Sequence, residues 1–162
     1  MTPQTHAQAP AAATDAAYLH PGEVAASARP LVLSTILGSC VGVCLFDAER
    51  GVGGMNHFLL PDSAGQARPT ARFGDVAMER LLAAVLEAGA RQAGLAARVY
   101  GGACVLAAFC ASGNHLGERN VEAALHFLEA RGIPVLERDT GGRRGRRLVF
   151  HTQGGAVQAR RI

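Results

Sequence analysis

Between Leu31 and Pro61 the chain carries three apolar runs in close succession, LVLSTIL, VGVCLF and VGGMNHFLLP, parted only by Gly38-Ser39-Cys40 and the polar DAERG segment. Runs of this kind, rich in β-branched residues and bounded by turn formers, read as strands. At Phe73 the period changes. Met78, Leu81, Leu82, Val85 and Leu86 recur at helical spacing, which predicts an amphipathic helix to about Gly89 that covers a sheet. The stretch ARVYGGACVLAAF returns to strand character, and CASGNHLGERN is a glycine-rich loop leading to a second helix with Val121, Ala124, Leu125 and Leu128 on its buried stripe. Gly132 ends that helix just before a proline, and IPVLERD, RRLVFHT and AVQARRI read as three closing strands. Strands first, then helices interspersed with strands, predict an α+β fold with helices covering sheet faces and exclude a doubly wound parallel sheet.

Composition narrows the function classes. The 162 residues suit one domain, and no apolar run approaches the roughly 20 residues needed to cross a bilayer, so no membrane insertion is expected. The opening MTPQTHAQAPAAATDAAYLH has neither a basic start nor a continuous apolar block. It therefore reads as a disordered tail over residues 1–18, ahead of a single domain over 19–162 in a cytoplasmic protein. In that reducing compartment Cys40, Cys44, Cys104 and Cys110 are expected to be thiols.

There is no lysine, and arginines cluster at Arg143, Arg144, Arg146 and Arg147 and again at the C-terminus. With no aromatics between them for base stacking, this segment reads as a solvated loop; nucleic acid is not an expected partner, and an acidic protein surface stays open. The YGGA loop lacks the spacing of a dinucleotide site, and there is no Gly-Lys pair and no C-x-x-C, so neither a nucleotide cofactor nor a metal is expected.

Cys44, inside its apolar run, reads as a core residue. Cys40 follows two small residues at a strand entrance, where backbone N–H groups can face a cleft. His57 closes the next apolar run seventeen residues later. Two readings stand side by side: ordinary core residues, or a nucleophile and its base. His115 with Cys104 or Cys110 is a competing pair.

The segments TILGSCVGVCLFD, GGMNHFLLP, FGDVAME, YGGA, LGERN, GIPV and GGRRGR occur in this order from Thr35 to Arg146. Together they closely resemble the chemoreceptor glutamine deamidase family, CheD, and the likeness extends from about Pro21 to the C-terminus. The resemblance implies a cytoplasmic chemotaxis enzyme that converts receptor glutamines to glutamates, with Cys40 as nucleophile and His57 as its histidine. Thr35 would be the third catalytic residue, with Ser34 as competitor because adjacent strand residues face opposite sides. Backbone N–H groups of Ser39 and Cys40 would hold the oxyanion. The resemblance also implies two packed sheets with helices outside, an α/β/β/α-like arrangement like that of glutamine-deamidating toxins. Receptor methylesterase action is a second implied activity. A non-catalytic module binding a CheC-type phosphatase is the alternative. A papain-like protease is disfavoured by the short Cys-to-His spacing.

Overall fold

A computed structural model describes residues 14–162. Among the described residues nine strands form two sheets: β1 (Asp15–Tyr18), β2 (Val24–Ser27), β3 (Leu31–Leu37), β4 (Val41–Asp47), β5 (Val52–Asn56), β6 (Ala96–Gly101), β7 (Val135–Thr140), β8 (Arg146–His151) and β9 (Val157–Arg161). The helices are α1 (Gly74–Glu87) and α2 (Leu116–Ala130). One sheet has the order β1-β3-β8-β9 and the other β2-β5-β4-β6-β7, and each is mixed: β1 runs parallel to β3 and β7 to β6.

The α+β class expected from the element order is what the chain forms. The period-2 pattern of β3 explains the packing of the four-stranded sheet. Leu33, Thr35 and Leu37 are buried between the sheets while Ile36 faces outward. Facing them across the inter-sheet core are Cys44, Phe46, Met55 and Tyr100 of the larger sheet, with Leu148 and Phe150 of β8 beside them. The other face of the larger sheet presents Val41, Val43, Leu45 and Val99 to Met78, Leu81 and Val85 of α1 and to Val121, Ala124 and Leu128 of α2. β4, buried over its whole length, carries both cores, which is why it reads as a continuous apolar run. Truncating a side chain such as Leu45 to alanine should cost about 2–5 kcal/mol.

Three expectations change. The layer order is β/β/α, because both apolar helix stripes pack on the same face of the five-stranded sheet, whereas the α/β/β/α order needs a helix on each side. Residues 1–13 of the expected tail lie outside the described residues, but Asp15–Tyr18 form a strand, since parallel pairing with β3 satisfies their backbone although the side chains are exposed. The run ARVYGGACVLAAF stops being a strand at Gly101, where positive φ at Gly101 and Gly102 turns the chain into a loop with a single 3-10 turn at Ala107–Phe109.

Candidate active site

The site lies where β4 and the chain beyond β5 separate. The antiparallel register pairs Cys44 with Met55 and continues to a bridge between Val41 and Phe58, whose N–H groups and carbonyls exchange bonds of 3.1 and 3.0 Å. In that register His57 stands opposite Gly42. Cys40, two residues before Gly42, is therefore its diagonal neighbour on the same face, a spacing that side chains can bridge. A side chain at position 42 would press against Leu37 Cδ1, 3.1 Å from an added Cβ, and against Leu148 Cδ1, so glycine lets the two sheets pack closely at this point.

Thr35 reaches His57 from the other sheet. Its Oγ1 lies 2.8 Å from His57 Nδ1 and donates to the Leu19 carbonyl at 2.7 Å. The hydroxyl has one proton, and Leu19 takes it; Thr35 must then accept from His57, which fixes the imidazole with hydrogen on Nδ1 and a free lone pair on Nε2. His57 Nε2 is buried and has no protein partner among the described residues. Ser34 belongs to the outer face of β3, where its carbonyl accepts from Leu19 N–H at 2.8 Å. Of the two competing hydroxyls, the one that meets the histidine is Thr35.

The chain between β1 and β2 completes the histidine's seat. Gly22 N–H donates to the His57 carbonyl at 2.7 Å, and His57 N–H donates to the Glu23 carbonyl at 3.2 Å. Sequence reasoning missed this contribution; the HPGE step was the one available signal.

Burial moves both titrating groups toward neutrality. Desolvation lowers the His57 pKa from its ordinary value, with the Leu19 carbonyl opposing, and raises that of the Cys40 thiol, with its own backbone N–H opposing. The resting pair is thiol and neutral imidazole. Cys44 differs from Cys40 in being wholly buried in the inter-sheet core, and burial pushes its thiol far above the usual range.

The Gly38-Ser39-Cys40 turn is held by the YGGA segment. Gly102 N–H donates to the Cys40 carbonyl at 2.8 Å and Ala103 N–H to the Gly38 carbonyl at 2.9 Å. At Gly101, φ is +104° and an added Cβ would collide with the Cys40 carbonyl oxygen, so this approach requires glycine. Among the described residues the N–H groups of Ser39 and Cys40 have no backbone acceptor, which leaves them available to a ligand.

Beside the turn is a cavity of about 470 Å³ lined by Ser39, Leu106, Phe109, His115 and Arg119, among others. Its loop brings two further corrections. Cys104 and Cys110 form a disulfide, because the turn at Ala107–Phe109 folds the chain back until their Cα atoms are 5.7 Å apart, within bridging range. The expectation of four thiols fails there because linear spacing does not reveal that fold-back. His115 Nδ1 accepts from Glu118 N–H at 3.3 Å as the cap of α2, so the competing Cys-His pair is absorbed by a disulfide and a helix cap.

The arginine segment is a crossover between the two sheets, and one of its members is not solvated. Arg146 is buried, with Nη2 3.0 Å from Asp139 Oδ1 and Nη1 3.4 Å from the Gly101 carbonyl, whereas Arg143, Arg144 and Arg147 are exposed. No group of three or more metal-ligating side chains occurs among the described residues.

Comparison with known proteins finds chemotaxis proteins. The model of the CheD chemotactic sensory transduction family matches residues 59–161. A protein of Anaeromyxobacter dehalogenans named "Probable chemoreceptor glutamine deamidase CheD 1" is 52% identical over 145 residues, covering 90% of this chain and 84% of its own. Relatives named "Probable chemoreceptor glutamine deamidase CheD" are 47% identical in Rhodospirillum rubrum, over 90% of this chain and 81% of theirs, and 46% identical in Trichlorobacter lovleyi, over 86% of each. The chain belongs to the CheD family. The family match begins just after His57, and the matches to these relatives, spanning 86–90% of the chain, extend back over Thr35, Cys40 and His57.

Proposed function

We propose that this chain deamidates glutamine side chains of chemoreceptors, with Cys40 as nucleophile, His57 as base and then acid, and Thr35 orienting His57. The carrying observation is the Thr35–His57 contact across the two sheets. It directs Nδ1–H into the protein and leaves the Nε2 lone pair on the face that Cys40 shares. The names of the relatives supply the substrate class.

As Cys40 Sγ attacks the carboxamide carbon, its proton passes to His57 Nε2, and the developing oxyanion meets the N–H groups of Ser39 and Cys40. The imidazolium returns the proton to the departing nitrogen, releasing ammonia and leaving a thioester. Water, deprotonated by the same nitrogen, hydrolyses the thioester to glutamate and restores the thiol. An ester carbonyl presented to the same groups would lose methanol instead of ammonia, so methylesterase action on receptor glutamates belongs to this reading. The catalytic unit spans β1 to β9, since Leu19 beside β1 holds Thr35 and the crossover into β8 packs on Gly101. Its setting is the cytoplasm, and a CheC-type phosphatase is a second partner under the same reading.

Incubation with a receptor cytoplasmic fragment should release ammonia and add about one dalton per converted glutamine. The Cys40→Ala chain should do neither, while Cys44→Ala keeps the activity, because a fully buried thiol cannot meet a substrate. Undiminished conversion by Cys40→Ala would overturn the reading. Receptor binding without conversion by the parent chain would favour the regulatory module.

A further inference from the structure

The LGERN motif has no part in the chemistry above, yet its last residue, Asn120, is fully buried beside the Cys40 turn. Its Nδ2 donates to two carbonyls: Ser39 O at 3.0 Å and Leu59 O at 2.8 Å. Ser39 immediately precedes Cys40, and Leu59 is two residues beyond His57. In the β4–β5 register Leu59 stands opposite Cys40, one step past the Val41–Phe58 bridge. There the backbone ladder ends. Leu59 and Leu60 N–H groups turn away to the Arg72 carbonyl at 2.8 and 3.1 Å, and the Cys40 carbonyl goes to Gly102. Asn120 spans the gap where the two segments diverge.

The asparagine is not there for its own satisfaction. Its Oδ1 is buried and has no partner among the described residues, an arrangement folded proteins seldom keep without a reason. Exchanging the two amide atoms would set Oδ1 against two carbonyl oxygens, so both donors are committed to the segments carrying the proposed nucleophile and base.

We propose that Asn120 is a positioning residue that replaces the missing rung of the β4–β5 ladder and holds the Cys40 turn against the His57 segment. This rests on the Cys40–His57 reading. Without the clamp the turn moves relative to the imidazole, and displacements of about 1 Å can cost 100-fold in rate.

The test reads Cys40 itself, by iodoacetamide alkylation of the intact chain across pH, so that it does not depend on receptor turnover. Asn120→Ala should slow alkylation near neutral pH roughly tenfold or more and shift its pH profile to the alkaline side. In a His57→Ala background it should add nothing, because the clamp then has no base to position. Val121→Ala, one residue along the same helix and buried in the helix–sheet core, should lower the melting temperature without moving the profile. Where Asn120→Ala does not fold, Asn120→Ser serves, retaining a shorter donor. An unchanged profile in a folded Asn120 variant, or equal slowing with and without His57, would overturn the proposal. A clamp effect on alkylation in a chain that never deamidates a receptor fragment would leave the clamp standing and remove the deamidase reading.

Discussion

The Gly38–Cys40 turn and the Gly141–Arg147 segment are both glycine-rich breaks next to strands, both lie in family-like motifs, and both touch Gly101. They do opposite work. In the first, backbone groups are pinned from outside by Gly102, Ala103 and Asn120, so the side chain at its end is free of structural duty. In the second the backbone is pinned as well, at Gly141 N–H and at the Gly142 and Gly145 carbonyls, but the side chain of Arg146 is itself a further anchor through Asp139 and the Gly101 carbonyl. A side chain that holds nothing is available for chemistry; one that holds two elements is not.

That contrast breaks in measurable ways. The largest effect is expected at the base: His57→Ala should slow deamidation of a receptor fragment, measured well below the variant's melting temperature, by about 10²–10⁴-fold, since general acid–base catalysis is worth that much. Equal rates would assign the histidine to the fold. Next comes its orienting partner. Thr35→Ala should cost about 10–100-fold by releasing the imidazole tautomer, while Ser34→Ala, on the opposite face, leaves the rate unchanged; the reverse ranking would put the wrong hydroxyl in the site.

The arginine segment should respond the other way. Arg146→Ala should destabilise by about 2–3 kcal/mol, somewhat less than a fully buried pair because Asp139 is partly exposed, lowering the melting temperature by roughly 5–10 °C. Its residual activity, measured well below the new melting point, should stay within about threefold of the parent. The pairing holds the Asp139 pKa below its ordinary value, first through the Arg146 hydrogen bond. Its stabilisation is therefore full above about pH 4 and is lost as pH falls through the depressed value. The smallest effect belongs to the exposed pair. Arg143 and Arg144 exchanged together for Gln should leave the melting temperature alone and slow deamidation several-fold at low ionic strength only, converging with the parent at high salt. Equal rates at low salt would make the whole segment scaffold.

Much of this division is legible in the sequence. The strands of the two cores and both helices follow from apolar period, and Cys40 and His57 stand out by their places at the ends of apolar runs. What escaped did so for physical reasons. DAAY and VAAS are short and weakly apolar, and they become strands only because β3 and β5 offer free edges. Alternation says that Ser34 and Thr35 differ in face but not which face meets the second sheet, because that depends on how β3 packs over β4 and β5. The Cys104–Cys110 bridge depends on a single turn of 3-10 helix. Asn120 sits 63 residues from His57 along the chain, as its position in the sequence shows, and no local pattern announces a side chain that binds two distant carbonyls.

The central claim is that Cys40 and His57 act as one unit, and the pH profile of Cys40 alkylation in the parent and in His57→Ala tests it most directly. Burial lowers the His57 pKa, so in the parent the imidazole stays neutral, and able to take the thiol proton, to below its ordinary value of about 6.5. Alkylation should accordingly remain fast at neutral pH and fall only on the acid side of that value. In His57→Ala the thiol, raised by burial, should react appreciably only above its ordinary pKa of about 8.5. Superimposable profiles for the two chains would contradict the account.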